Sequence, residues 1–335
     1  MARARVLTFT DRGIYCPAGD FFVDPWRPVD RALITHGHAD HARPGMGRYL
    51  ATDTAAPVMR HRLGEVDLET IAYGEARRIG DASVSFHPAG HVPGSAQIRV
   101  EVGGEVWVVS GDYKVVPDGV SEPFEPVACN TFITECTFGL PVFKWDMPDA
   151  VAGEINEWWA GNAALGRYSV CGAYALGKAQ RILAALDTSI GPILTHGAVE
   201  NTNEVLRAQG IALPETVRVT PDLDAKDYTG AFVLATPSAL GTTWVGRFRP
   251  VSTAFASGWM ALRGIRRRRA ADRGFVMSDH ADWVGLNDAI RATGCERVFV
   301  THGYSSVFRR WLEDPGFDAG IVETEYGGEA AEEDD

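Results

Sequence analysis

The segment Ala32-Leu33-Ile34-Thr35-His36-Gly37-His38-Ala39-Asp40-His41 constrains this chain more than any other. A short apolar strand runs directly into three imidazoles and a carboxylate within six residues. Strand ends deliver side chains into crevices where ligands converge. Four such groups held close without a shared partner would be costly to desolvate. His36 and His38 are two apart and share one side of an extended segment. Asp40 and His41 fall on the following turn, where they can address a second ion. Imidazole nitrogen and carboxylate oxygen suit Zn²⁺, with Mn²⁺ as the alternative.

Two later segments extend the set. His91 sits in the Gly- and Pro-rich loop Pro88–Ser95, after an apolar strand, and Asp112 follows the strand Val106–Val109. Each alone is an ordinary turn former. In this order after the first cluster they complete a site, with Asp112 placed to bridge two cations. Near the end of the chain, His302 terminates the apolar run Val298–Val300 as His36 terminates its own strand, and supplies a further ligand. His280, in Ser278-Asp279-His280, stands just before a helix and suits proton donation to a leaving oxygen. Glu135, at another apolar strand end, is its candidate partner. Six of the nine histidines fall in these motifs, and His61, His87 and His196 take the plain surface or core reading.

The pattern of His-x-His-x-Asp-His, Gly-His91 and Gly-Asp112 resembles the metallo-β-lactamase superfamily. Glu135, His280 and His302 are similar to the three further motifs of its β-CASP branch, the nucleic-acid-processing members. The resemblance implies an α/β fold: a metallo-β-lactamase αββα sandwich with an inserted β-CASP α/β domain that forms one wall of the substrate cleft. It implies two divalent ions, one held by His36, His38, His91 and Asp112, the other by Asp40, His41, Asp112 and His302. A hydroxide bridging them would be the nucleophile, with Asp40, Glu135 and His280 in catalytic roles and His280 as general acid.

Modest length and motif spacing look like the bacterial DNA-ligase-associated exonucleases, and also like Artemis-type repair nucleases. The expectation is a DNA exonuclease in repair, 5′→3′ by resemblance only. It would act on single-stranded or end-containing DNA, with a DNA ligase and a helicase as partners. His302 departs from the Artemis-type pattern, which tends to be apolar there, and leans toward RNA-processing members. An RNA-processing exo- or endonuclease therefore stays open as the alternative. A glyoxalase- or lactamase-type hydrolase ranks behind both, since it needs neither the Glu135–His280 pair nor a large insertion. A non-catalytic scaffold ranks last, since every ligand is present.

Substrate contacts are expected from Ser278, Lys178, Arg181 and Arg267. Lys178 and Arg181 begin a helix whose N–H groups could face a phosphate. The plainer reading is a capped helix with a solvated lysine. Arg267 lies in the cluster of six arginines between Arg263 and Arg273, set against one acid, Asp272. Phe255, Trp259 and Phe275 nearby could stack on bases, although core is the commoner fate of such rings.

A net charge of −12 argues against a protein that coats nucleic acid by bulk electrostatics. Five cysteines with no Cys-x-x-Cys argue against a disulfide framework or a thiolate zinc site. No apolar run approaches the ~20 residues that span a bilayer, and no apolar stretch follows the charged N-terminus. The expectation is cytoplasmic, with no membrane partner. Short strands fill the first third. Helix–strand alternation after about residue 140 predicts a parallel sheet. The expected parts are 1–140 and 274–328 for the metal-binding domain, 141–273 for the insertion, and a disordered acidic tail over 329–335.

Overall fold

The structure, a computed structural model, describes residues 5–268 and 271–322. These divide into two compact units. One comprises 5–117, 121–143 and 280–322, the other 118–120 and 144–279. The acidic tail lies outside the described residues.

The first unit contains two sheets. Six strands pair in chain order from Thr8–Thr10 through Gly13–Cys16, Phe21–Val23, Ala32–Leu33 and Tyr49–Thr52 to Leu68–Ile71. The second sheet has seven. Ala76–Ile79, Ala82–Pro88, Ala96–Val102 and Glu105–Val109 form an antiparallel meander. Thr131–Glu135, Arg297–Thr301 and Asp318–Ile321 then add in parallel. Alternate side chains on a strand face opposite ways, and the cores follow that rule. Leu33, Leu50, Trp107, Val109 and Ile133 join the cluster shared by both sheets. Their neighbours Ala32, Tyr49 and Ala51 pack with the helix Ala56–Leu63, while Val108, Phe132, Val298 and Val300 pack with the helices Trp283–Thr293 and Ser305–Glu313. The result is helix, sheet, sheet, helix. Burial of each large apolar side chain contributes roughly 1.5–3 kcal/mol, so the doubly covered sheets are what hold the strand ends in place.

The helix Trp283–Thr293 begins where Asp282 accepts from the Gly285 N–H at 2.8 Å and stops at left-handed Gly294. It is an N-cap with an αL C-cap.

The second unit is built on a six-stranded, wholly parallel sheet in the order Val217–Arg218, Ile193–Thr195, Phe232–Ala235, Tyr168–Gly172, Val251–Ala256, Arg273–Phe275. Helices Pro148–Ala164 and Lys178–Ala185 bury Trp158, Trp159, Ile182 and Leu183 against it. This unit runs to Asp279, beyond the expected boundary at residue 273, because Arg273–Phe275 is an edge strand of its sheet. The strand Arg273–Phe275 stops short of Ser278, whose carbonyl accepts from Arg181. Among the described residues no helix is long and apolar enough to cross a membrane.

Candidate metal centre

The strand Ala32–Leu33 ends in a loop that is pinned before it can carry ligands. Asp24, at the end of the neighbouring strand, accepts from Thr35 N (2.8 Å) and from Thr35 Oγ1 (2.6 Å). Arg62 donates to the carbonyls of Gly37 and Ala42, and Arg43 donates to the Asp40 carbonyl at 3.0 Å. Asp112 reaches the same place from the second sheet. Gly111 makes that approach possible: it is left-handed, and a Cβ there would lie 2.6 Å from Thr35 Cβ.

The imidazoles and carboxylates expected from the sequence meet here. His38 Nδ1 lies 3.1 Å from both His36 Nε2 and His91 Nε2. Asp112 Oδ2 is 3.6 Å from His36 Nε2, 3.9 Å from His91 Nε2 and 3.4 Å from His41 Nε2. His41 Nε2 is also 3.6 Å from Asp40 Oδ2, and His302 Nδ1 is 3.8 Å from Asp112 Oδ1. Tetrahedral bonds of ~2.0–2.1 Å to an ion would put ligand atoms ~3.3 Å apart, within the 3.1 to 3.9 Å range of these spacings. Two overlapping groups result, His36/His38/His91/Asp112 and His41/Asp112/His302, with Asp40 beside His41; each group's ligand atoms lie within 4.8 Å of one another.

The donor set fits divalent cations on a second ground. His41 Nε2 and Asp112 Oδ1 are buried with no hydrogen-bond partner among the described residues. Such orphans are rare without a reason. Burial, reinforced by the charges of His41, His91 and His38, holds His36 well below the ordinary imidazole value, so its lone pair is free for an ion. At His41 burial acts downward but is outweighed by the carboxylates of Asp40, Asp112 and Asp24, which lift it well above that value. Burial would raise Asp112, yet His41 and His280 hold its carboxyl well below the usual range. Carboxylates gathered among edge-on and tilted imidazoles are what a cation neutralises.

His302 is reached by a strained turn. It adopts φ 57, followed by Gly303 at φ 64. A Cβ on Gly303 would lie 2.4 Å from the Cys136 carbonyl oxygen, so only glycine lets the turn fold against that strand.

Beside the ligands, His280 Nδ1 lies 2.9 and 2.8 Å from the two oxygens of Glu135, which is fully buried and also accepts from Tyr113 N at 2.8 Å. A carboxylate only accepts, so Nδ1 carries a proton toward Glu135, and Nε2 is the ring's second nitrogen. The His280 ring centre lies 4.6 Å from that of His91, the two rings tilted at 58°.

The expected substrate contacts fare differently. Lys178 is 3% exposed, with Nζ 3.8 Å from Asp279 Oδ2 and 4.4 Å above the Tyr174 ring. Arg181 binds the Ser278 carbonyl, Asp279 Oδ1 at 3.3 Å and Asp118 Oδ2 at 3.8 Å. Ser278 is itself buried. Lys178 is paired with Asp279 and Arg181 with Asp279 and Asp118; buried Lys178 and Ser278 present no surface to a substrate, which corrects the expectation for those two, while Arg181 is half-buried with its charge already engaged. Arg267 is exposed on the helix Arg263–Arg268. Arg269 and the side chains of Arg266 and Arg268 lie outside what the structure describes. Phe255, Trp259 and Phe275 are buried in the second unit, so they are packing residues and not stacking platforms.

Asp24, Arg43 and Arg62 were not anticipated. Asp24 had a signal: like Asp112 and Glu135, it is an acid closing an apolar run, here Phe21–Val23. Its Oδ2 lies 2.8 Å from His41 Nδ1, the carboxylate–imidazole support that orients a metal ligand.

No family model matches the sequence. A protein described as a probable DNA ligase, from Opitutus terrae, is 29% identical over 313 residues, covering 92% of this chain and 30% of that protein. A ribonuclease of Thermus thermophilus is 31% identical over 147 residues, 36% of this chain and 34% of its own. An RNase J-like protein of Methanocaldococcus jannaschii is 24% identical over 213 residues, 53% of this chain and 50% of its own. These homologues are β-CASP members of the metallo-β-lactamase superfamily, and the chain is similar to them. Its fold is shared, at 11% identity and a TM-score of 0.61, by a crystal structure of a protein of unknown function from Enterococcus faecalis, over 89% of this chain and 80% of that one. The chain spans half or less of the length of the three curated relatives above.

Proposed function

We propose that this protein is a metal-dependent nuclease that hydrolyses phosphodiester bonds, and that its substrate is DNA attacked from a strand end. The observation that carries the hydrolytic reading is the Glu135–His280 pair set against the two overlapping ligand groups. Divalent ions at such a centre supply Lewis acidity and lower the pKa of water.

The chain's own residues do the rest. Asp112 is the one carboxylate common to both groups and holds them in register. Asp24 fixes the His41 tautomer with the proton on Nδ1, leaving Nε2 to face Asp40 and Asp112. Glu135 holds the Nδ1–H of His280 and favours the imidazolium, whose Nε2–H is the proton given to the oxygen that leaves. An alkoxide leaving group needs that proton, and general acid catalysis contributes about 10²–10⁴-fold.

DNA, rather than RNA, is favoured by the alignment of nearly the whole chain with part of a probable DNA ligase, and the same match supports a ligase-linked repair role. The ribonuclease relatives and His302 keep RNA as the second reading. Zn²⁺ is the proposed native ion, with Mn²⁺ accepted by the same donors.

The test is incubation with single-stranded DNA and RNA of one sequence, labelled at either end, with Zn²⁺ or Mn²⁺. Mononucleotide release from DNA supports the reading, the labelled end that shortens first gives the polarity, and 5′→3′ is expected. Cleavage of RNA alone would replace DNA by the second reading. His280→Ala is expected to keep its metal and lose about 10²-fold or more in rate.

A further inference from the structure

At Asp279–His280 the chain passes from the second unit into the first. The residue just before His280 is held by ion pairs to residues of the second unit. Asp279 is 3% exposed. Its Oδ1 lies 3.3 Å from Arg181 Nη1 and its Oδ2 3.8 Å from Lys178 Nζ. Arg181 also binds the Ser278 carbonyl, and its Nε is 3.8 Å from Asp118. Asp118 belongs to the other short segment, 118–120, at which the chain visits the second unit. One guanidinium therefore grips both places.

Buried ion pairs of this kind are poor investments in stability alone, because desolvation offsets the attraction. They do specify geometry. Lys178 and Arg181 start the same helix, Lys178–Ala185, whose first turn is fixed by Gln180 accepting from Gly177 N at 2.8 Å. A planar guanidinium that binds a carbonyl and a carboxylate of consecutive residues sets their direction in a way a flexible ammonium does not. His280, the next residue, is fixed on its own side by Glu135.

We propose that Arg181 and Lys178 are positioning residues for His280, acting through Ser278 and Asp279. The proposal rests on the reading of His280 as general acid and deepens it. The backbone on the N-terminal side of His280 and the Glu135 carboxylate on its ring together fix where Nε2 points. Loosening the cluster moves the proton donor and leaves the metal ligands alone. A misplacement of about 1 Å at a reacting group costs up to about 100-fold.

The experiment compares two phosphodiesters in the full-length, Mn²⁺-loaded protein. Single-stranded DNA has an alkoxide leaving group that needs a proton. Bis(p-nitrophenyl) phosphate releases p-nitrophenolate, which leaves without one. Arg181→Lys keeps the charge and loses the fork, and Asp279→Asn keeps the shape and loses the charge. Each is expected to lower kcat on DNA about 10- to 100-fold, to keep bis(p-nitrophenyl) phosphate hydrolysis within about threefold, and to keep wild-type metal content. In a His280→Ala background the same substitutions are expected to add nothing further on DNA.

Equal loss on both substrates, or full additivity with His280→Ala, overturns the proposal and leaves the general-acid reading standing. If His280→Ala itself fails to discriminate between the two substrates, the general-acid reading fails and the positioning role with it. Should Asp279→Asn lose metal or melt early, the milder Arg181→Lys decides by the same comparison.

Discussion

Replacing Asp24 by Asn changes one atom's chemistry and almost no volume. The carboxylate takes three contacts: Thr35 N at 2.8 Å on Oδ1, and Thr35 Oγ1 at 2.6 Å and His41 Nδ1 at 2.8 Å on Oδ2. An amide must keep its oxygen toward the Thr35 N–H, which puts the NH₂ where Oδ2 was. A donor then faces the Nδ1 proton of His41. The least costly relief is for His41 to move its proton to Nε2, the atom that lies 3.6 Å from Asp40 and 3.4 Å from Asp112. The lone pair offered to an ion is lost with it. A hydrogen bond to a charged group contributes about 1.5–3 kcal/mol. Every 1.4 kcal/mol is tenfold in affinity, so the second ion should bind about 10- to 100-fold more weakly, the range typical of such supporting carboxylates. The His36/His38/His91 group does not touch Asp24, so one ion should stay tight.

Calorimetric titration of metal-stripped protein with Mn²⁺ checks this. Two classes of site are expected in Asp24→Asn, with cleavage restored at high Mn²⁺. Unchanged affinity at both sites, or equal weakening of both, would refute the reasoning.

Other outcomes follow from the same geometry. Asp112→Ala removes the carboxylate shared by both groups and is expected to drop bound metal below one ion per chain and abolish cleavage, read by elemental analysis. Gly303→Ala forces a Cβ into the Cys136–Thr137 backbone and is expected to displace His302, weakening metal binding while the second unit melts as before; calorimetry separates the two units. Glu200 is buried, and although burial acts upward on its pKa, hydrogen bonds from Thr195, Thr216, Arg207 and Asn203 hold it below the usual range. Its stabilisation is therefore complete above the unfolded value of about 4.3 and lost as pH falls through the lower folded one. Thermal melting from pH 6 down to pH 3 is expected to show a shallower decline in Glu200→Gln than in the parent chain, and parallel curves would contradict that.

The side chains that meet at the candidate centre were legible because each announces itself locally: a polar donor at, or a few residues after, the end of an apolar strand, often beside glycine. His36, His38, Asp40, His41, His91, Asp112 and His302 all carry that mark, and the sheets bring their ends together. Glu135 and His280 are 145 residues apart in sequence, and only their residue types and the resemblance paired them. The parallel sheet of the second unit followed from its helix–strand rhythm. Edge strands were harder. Ala76–Ile79 is an arginine-bearing strand with alternately exposed side chains, and edges need only one apolar face.

Lys178 and Arg181 were misplaced for a different reason. A lysine at a helix start looks the same whether its partner is a phosphate or a buried carboxylate, and Asp279 lies about a hundred residues away in the chain. Arg43 and Arg62 spend their donors on backbone carbonyls, which no side-chain pattern advertises.

The most direct test of the account is the metal content of the purified chain measured together with its phosphodiesterase rate, before and after chelation and after stepwise return of Zn²⁺ or Mn²⁺. Two ions per chain, a stripped protein that leaves polynucleotides intact, and recovery that tracks occupancy of the second ion are the expected result. A stripped protein that still cuts at its original rate, or a chain that saturates with no bound ion, would contradict it.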